Sequence, residues 1–445
     1  MSVTKGLLIV LVTGTLLSVM GGGSARAQTA EAAAASAPTG PHLGGEIVIS
    51  ALDNEQYRPS VAYNWRHDEY LVVWHNQWGA NGDIYARRIT GRGELKSWFA
   101  VAPSLPPNAY DHDRDQPAVA YDPTNDRYLV VWAYDALGNG TDWDIHGVFV
   151  NWNGPKPGAP LLYVSTWPTQ QWTPQVAYSG DEAEFMIVWR TDHPSVPSYI
   201  SGRRMTASDG TFPSTGSDFT ISHATEERIN PQISYNLLQN QYLVVHDNTE
   251  DILGSRFTGK GAPLPPPTPQ NPLLTSGEYY IAAWGGAETQ PSVAYCREND
   301  DYLVAWQNPQ PDIYARFVDG DGSLDSTILH LDFTGVEEIK PKVTCNSAGN
   351  QFLAVWQQQY SSLTGPYGVQ GQFVNTDRTL GAVFGIMAPT SGVGAEFTTP
   401  VVAGGKVNYL TAWEHDRAGT VYQDIYGQLV TPHAVFLPLT LRNHQ

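Results

Sequence analysis

Positive charge is what this chain has least of. Lys and Arg together number 25 against 44 Asp and Glu, a net charge of −19 over 445 residues. A surface that acidic repels phosphate backbones, which excludes nucleic acid as a partner. Cysteine is nearly missing: there are two, Cys296 and Cys345, and nothing beside either resembles the base a catalytic cysteine needs. Beyond residue 20 there is no long apolar run, so no later segment can cross a bilayer as a helix. The chain also lacks a G-x-S-x-G elbow, which sets aside the α/β-hydrolase type of serine triad, and an H-E-x-x-H zinc motif.

Turn formers and aromatics are plentiful instead: 42 Gly, 32 Pro, 23 Tyr and 14 Trp. That combination favours many short strands over helices. The first residues, "MSVTKGLLIVLVTGTLLSVMGGGSARAQ", place Lys5 before an apolar stretch and end on Ala25-Arg26-Ala27. This is the pattern of a secretory signal over 1–27, cut after Ala27, and it predicts a secreted or cell-surface protein with no transmembrane segment after cleavage. Residues 28–42 are small and polar and read as a disordered linker.

From there the chain repeats itself. Seven segments align on a proline: "PSVAY" at Pro59, "PAVAY" at Pro117, "PQVAY" at Pro174, "PQISY" at Pro231, "PSVAY" at Pro291, "PKVTC" at Pro341 and "PVVAG" at Pro400. A second apolar run follows each ("YLVVW", "FMIVW", "YLVVH" and relatives), then a third ("DIYARR", "DIHGVF", "DIYGQL"), then in most units a looser fourth ("FAVA", "LYVS", "FTIS", "ILHL"). Four short strands at a period of fifty to sixty residues is the signature of propeller blades. In "YLVVW", Tyr70, Val72 and Trp74 point one way and Leu71 and Val73 the other. A strand apolar on both faces needs a sheet above and below it, which radial stacking supplies. The predicted fold is therefore all-β, a seven-bladed β-propeller of four-stranded antiparallel blades over 43–431, with a tail at 432–445. "GEIVIS" (45–50) looks like a fourth strand without its other three, and the last unit has three without a clear fourth. An N-terminal strand closing the ring is the favoured arrangement, which removes a sheet edge. "VFLPLTL" (435–441) is the rival.

In these units the chain resembles exported bacterial proteins that carry repeated P-x-VAY…YLVVW…DIYxxR blades. The likeness covers about residues 45–430 and implies a propeller, with no agreed activity attached. The closing "FLPLTLRN" is similar to short tails of secreted bacterial proteins, which implies a surface or sorting signal.

Residues that recur in every unit are packing. Six Trp (74, 132, 189, 306, 356 and 413) share one repeat position, and arginines such as Arg87, Arg203, Arg256 and Arg316 recur at the third-strand ends. The informative residues are the unrepeated ones on the fourth-to-first and second-to-third connections, which share one face of a propeller. These are Trp78, Tyr110, Asp111, His112, Asp113, Trp143, Trp172, Asp192, His193, Glu226, Glu414 and Asp416, with Trp167 and Tyr422 beside them. Aromatic faces stack on sugar C–H surfaces and polar groups take the hydroxyls, so this mixture can hold a carbohydrate. The same residues also describe an ordinary solvated loop face. "ASDGTF" (207–212) is the one segment near the S-x-D-x-G-x-T-W boxes of sialidase-like propellers, and no other unit has it.

"DGDGSLD" spaces Asp319, Asp321 and Asp325 like part of a calcium loop, yet it aligns with plain turns in other units and has no closing Glu. Cys296 and Cys345 sit at matched depth in neighbouring inner strands and can form a disulfide if their Cα atoms come within about 7 Å. The functional expectation is a secreted, monomeric binding propeller without a cofactor, recognising carbohydrate or an extracellular protein through one loop face. The alternatives are a polysaccharide hydrolase using two loop carboxylates and a structural surface protein.

Overall fold

The computed structural model describes residues 41–432, apart from 79–80, 102–111, 214–218, 223–224, 268–273, 275–276, 311, 333, 361–366, 389–397 and 417–421. Among the described residues there are strands and turns and no helix, and none is long and apolar enough to cross a membrane as one. Seven antiparallel sheets follow one another along the chain. Blade 1 consists of Gln56–Asn64, Glu69–Trp78, Asn81–Thr90 and Leu95–Ala100. The inner strands of blades 2 to 7 are Arg114–Asp122, Gln170–Ser179, Ile229–Asn236, Thr289–Cys296, Glu338–Cys345 and Thr398–Gly404. The ring is a β-propeller of seven four-stranded blades.

Blade 7 takes its fourth strand from the other end of the chain. Ile47–Ser50 pairs antiparallel with Gln423–Thr431, placing Ile47 opposite Gly427 and Val48 opposite Tyr426. His42–Leu43 extends the contact to Thr431 and Val430. This closure gives blade 7 its outer strand and covers the edge of Gln423–Thr431. The rival segment 435–441 lies outside the described residues, as do the signal and most of the linker.

The repeated tryptophans are the cement. All six are at most 1% exposed. Each indole packs back onto the preceding blade: Trp132 on Leu71, Val73 and Ile84 of blade 1, Trp189 on Leu129 and Ile145 of blade 2, Trp74 on Leu410 and Ile425 of blade 7. The third-strand arginines sew the outer edges of adjacent blades in the same direction. Arg87 donates to the Ile49 carbonyl (2.7 Å), Arg316 to that of Ile281 (2.8 Å), and Arg203 to that of Val164. Cys296 and Cys345 join the inner strands of blades 5 and 6 in a disulfide, with Cα atoms 5.5 Å apart.

Blade 4 departs from the pattern. His246 stands where the other blades have Trp, and an imidazole leaves space an indole would fill. Arg228 and Glu278 occupy it, both about 1% exposed. Arg228 Nε donates to Glu278 Oε1 at 2.9 Å, His246 Nε2 lies 3.3 Å from the same oxygen, and the Ser222 hydroxyl donates to it from blade 3. Burial works against the charge on Glu278, but these partners together hold its carboxyl well below the usual carboxylate range.

Candidate functional site

The face that carries the channel mouth is shaped by one backbone event repeated seven times. At the residue before each anchoring proline the pairing of the first two strands slips, for example between Tyr57 and Ser60 and between Ile339 and Lys342. Arg58, Gln116, Thr173, Asn230, Gln290, Lys340 and Thr399 all sit there with φ between 48° and 55°. A non-glycine residue in this region is uncommon and costs about 1–3 kcal/mol. The bulge turns its N–H away from the ladder, so that group needs another partner. In three cases the preceding blade supplies it. Glu414 accepts from Arg58 N–H, Gln116 Oε1 from Thr173 N–H (2.6 Å), and Asp247 Oδ2 from Gln290 N–H (3.0 Å). The result is a ring of polar side chains around the channel. Sequence reasoning passed over this ring, although a signal was present: the residue before the proline is polar in all seven units.

Three residues before the proline, a buried polar side chain folds the connection from the previous blade. Gln56 donates to the Leu52 carbonyl (3.3 Å), Gln171 to those of Trp167 (3.0 Å) and Thr169 (2.5 Å), and Glu338 accepts from Thr334 (2.5 Å). These contacts fix the loops that rim the face. Between blades 1 and 2, His75 is fully buried. It stacks on Tyr57 with centroids 4.2 Å apart, meets Asp115 through Nδ1 (3.0 Å), and meets Gln77 through Nε2 (2.8 Å). Burial, with Arg58 close by, pushes the imidazole down to about 4, and burial pushes the Tyr57 hydroxyl up to about 12. Neither group titrates near neutrality.

Hollows open on this face at the channel and on blade 3. The channel mouth is a cavity of about 330 Å³ lined from all seven inner strands, among them Ser60, Gln175, Gln232, Ser292 and Lys342. The second is a cleft of about 510 Å³ on blade 3, where blade 2 leads into it. Trp167, Tyr199 and Phe219 give it aromatic walls, with Trp189 at the base. Ser165, Thr169, Thr191, Ser201, Gln171 and His193 give it polar groups. Trp167 is 56% exposed. Gln171 is buried, and among the described residues its Oε1 has no protein donor. Its amide nitrogen is spent on the Trp167–Thr169 loop, which it holds against the cleft.

The residues singled out in the sequence divide between these features. His193 lines the blade 3 cleft and its Nδ1 accepts from Ser195 N–H (3.1 Å). Asp192, next to it, is held by Arg190 (2.5 Å). Trp143 is 7% exposed and packs on Trp172, centroids 4.5 Å apart, so this pair is part of the blade 2–3 core. Asp113 accepts from Gly82 N–H (2.7 Å), His112 stacks near Tyr134 (5.8 Å), and Glu226 accepts from Asn248 (2.9 Å). Glu414 is buried at the blade 7–1 seam. Tyr110 and Asp111 lie outside the described residues, as do the side chains of Trp78 and Asp416. Asp319, Asp321 and Asp325 lie on the opposite face, where Arg378 of blade 6 bridges Asp325 (3.0 Å), Asp301 (2.7 Å) and Asp319 (3.5 Å). A guanidinium occupies the middle of that acidic cluster, and no group of three metal-ligating side chains occurs among the described residues.

No protein-family profile and no curated protein sequence matches the chain. Solved structures match in fold. A protein of unknown function from Dyadobacter fermentans is 12% identical, with a TM-score of 0.50, covering 88% of this chain and 99% of that one. An α-L-arabinofuranosidase of glycoside hydrolase family 93 from Fusarium graminearum, solved with arabinobiose, is 11% identical, with a TM-score of 0.51, covering 76% and 98%. A fungal copper alcohol oxidase is 10% identical, with a TM-score of 0.51, covering 88% and 76%. At these identities the likeness is one of fold, and the neighbours carry unrelated chemistries.

Proposed function

We propose that this chain is an exported binding propeller that takes carbohydrate in the cleft on blade 3. The observation that carries the reading is the composition of that cleft: three aromatic walls, one of them an indole that is 56% exposed, and a row of hydroxyls. Aromatic planes stack on sugar C–H faces, and a small number of fixed polar groups selects among hydroxyls. Its size lies within the range of small-ligand sites, about 300–1,000 Å³. Binding is favoured over hydrolysis because no Asp or Glu is among the described residues that line the cleft, whereas a glycosidase needs two carboxylates facing the bond it cleaves.

The test is a thermal-shift screen of the protein against neutral and acidic oligosaccharides, with reducing ends assayed in the same wells. A ligand at about 100 times its Kd adds roughly 2.7 kcal/mol of stability. A shift without new reducing ends supports the binding module. New reducing ends replace it with a hydrolase, and silence in both assays removes carbohydrate as the ligand.

A further inference from the structure

The channel mouth carries charge of the opposite sign to the molecule around it. Lys340 and Lys342 from blade 6 and Arg58 from blade 1, together with Asn230 and Gln290, line a cavity of about 390 Å³ that adjoins the 330 Å³ one and shares Arg58, Gln232, Lys342 and Thr399 with it. Arg58 is paired with Asp115. Lys340 and Lys342 have no carboxylate at ion-pair distance among the described residues. The contact of Lys342 Nζ is with Gln232 Oε1 across the channel, at 3.5 Å, the outer limit of a hydrogen bond.

The carboxylates near this rim are engaged elsewhere. Asp247 accepts from the Asn230 side chain (2.8 Å) and from Gln290 N–H (3.0 Å), and Glu414 from Arg58 N–H. Enclosure without a counter-ion pulls the Lys342 ammonium down to about 8. Two unpaired ammonium groups in a hollow are costly in a chain of net charge −19, which has acid to spare. The hollow is open, and low-dielectric walls focus its field outward.

We propose that the channel mouth is an oxyanion site that takes the carboxylate or sulfate group of an acidic sugar unit. Lys342 and Lys340 hold the charge, and Gln232, Gln290 and Thr399 take neighbouring hydroxyls. The sugar in this assignment rests on the carbohydrate reading of the blade 3 cleft; the anion does not. Both hollows open on the face of the fourth-to-first and second-to-third connections.

The experiment is calorimetric titration of the full chain with four probes: a galacturonate trimer, a sulfated galactose disaccharide, inorganic sulfate and a neutral galactose trimer. Each is repeated on Lys342→Met and Lys340→Met, with Lys342→Gln and melting curves as controls for folding. The expected result is that an acidic probe binds more tightly than the neutral one, weakens with added salt, and loses at least about tenfold in each lysine variant while the neutral probe is unaffected. Binding of the galacturonate probe alone assigns a carboxylate, and of the sulfated probe alone a sulfate ester. Lysine-dependent binding of inorganic sulfate with all sugars silent keeps the anion site and removes the carbohydrate reading. Neutral and acidic trimers of equal affinity, indifferent to both lysines, overturn the anion site while leaving carbohydrate binding intact. No binding of any probe overturns it outright.

Discussion

The two faces of the ring treat one repeat differently. On the face of the first-to-second hairpins, the tyrosine of the P-x-VAY phrase ties down its own turn: Tyr63 donates to Asp68 (2.7 Å), Tyr121 to Asp126 (2.7 Å), Tyr235 to Asn240 (2.9 Å) and Tyr295 to Asp300 (3.0 Å). Each of those turn residues has φ between 47° and 58°. A strained turn braced by the same bond blade after blade is a folding device. On the opposite face the bulge recurs but its partners do not: a carboxylate from Glu414, an amide from Gln116, a carboxylate from Asp247. The brace is kept in four blades, whereas these three bulge partners differ in residue type, as expected where a rigid scaffold presents changeable loops.

The sharpest break in the comparison is at the blade 3–4 seam, where charge replaces indole. Glu278→Leu removes the buried carboxylate beside Arg228, leaving it the exposed Glu226, and is expected to cost about 3–5 kcal/mol in chemical denaturation. That is as much as truncating one of the repeated indoles, Trp132→Ala, at about 3–5 kcal/mol. The Glu278 carboxyl is held below its unfolded value, so its contribution is present above the unfolded pKa and is lost as pH falls through the folded one. The wild-type penalty in acid should therefore shrink in the variant.

Next in size is the disulfide between blades 5 and 6. It closes a separation of 49 residues, and Cys296→Ser with Cys345→Ser should lower stability by about 2–4 kcal/mol. Glu338 runs the other way. Burial, which the Thr334 hydrogen bond only partly offsets, raises it to about 7 from 4.5. A carboxyl that keeps its proton longer when folded destabilises the fold as pH rises from about 4.5 to about 7. Glu338→Gln should raise stability by about 1–3 kcal/mol at pH 8 and leave it unchanged at pH 4. An equal gain at both pH values would refute this. The smallest effect is expected on the braced face: Tyr121→Phe should cost about 1 kcal/mol.

The scaffold could be read in advance because its determinants recur. Trp at one repeat position, proline at the head of each inner strand and a stray fourth strand at the N-terminus locate seven blades and their closure. Matched depth made the disulfide possible, and the 5.5 Å between the two Cα atoms decides it. What could not be read was side-chain partnership between blades. Asp113 and Glu414 look alike in sequence as loop-face carboxylates, yet each accepts a backbone N–H that only the folded ring brings to it. Trp143 and Trp172 look like two platforms and are one packed pair. The blade 3 cleft draws Ser165, Gln171, Thr191 and Ser201 from different strands and two blades, and no spacing along the chain reveals that convergence. Trp167 and His193 were visible because an unrepeated aromatic and an unrepeated histidine stand out against a periodic background.

The central claim is that the repeated face folds the protein and the unrepeated cleft binds its ligand. It is tested most directly by titrating one oligosaccharide from the screen into Trp167→Ala and Tyr121→Phe, with the melting temperature of each recorded alongside. The account predicts a crossed result. Trp167→Ala should lose at least about tenfold in affinity, roughly 1.4 kcal/mol, with stability within about 0.5 kcal/mol of wild type. Tyr121→Phe should melt earlier and bind as wild type does. Unchanged affinity in Trp167→Ala, or equal loss of affinity in both variants, would contradict it.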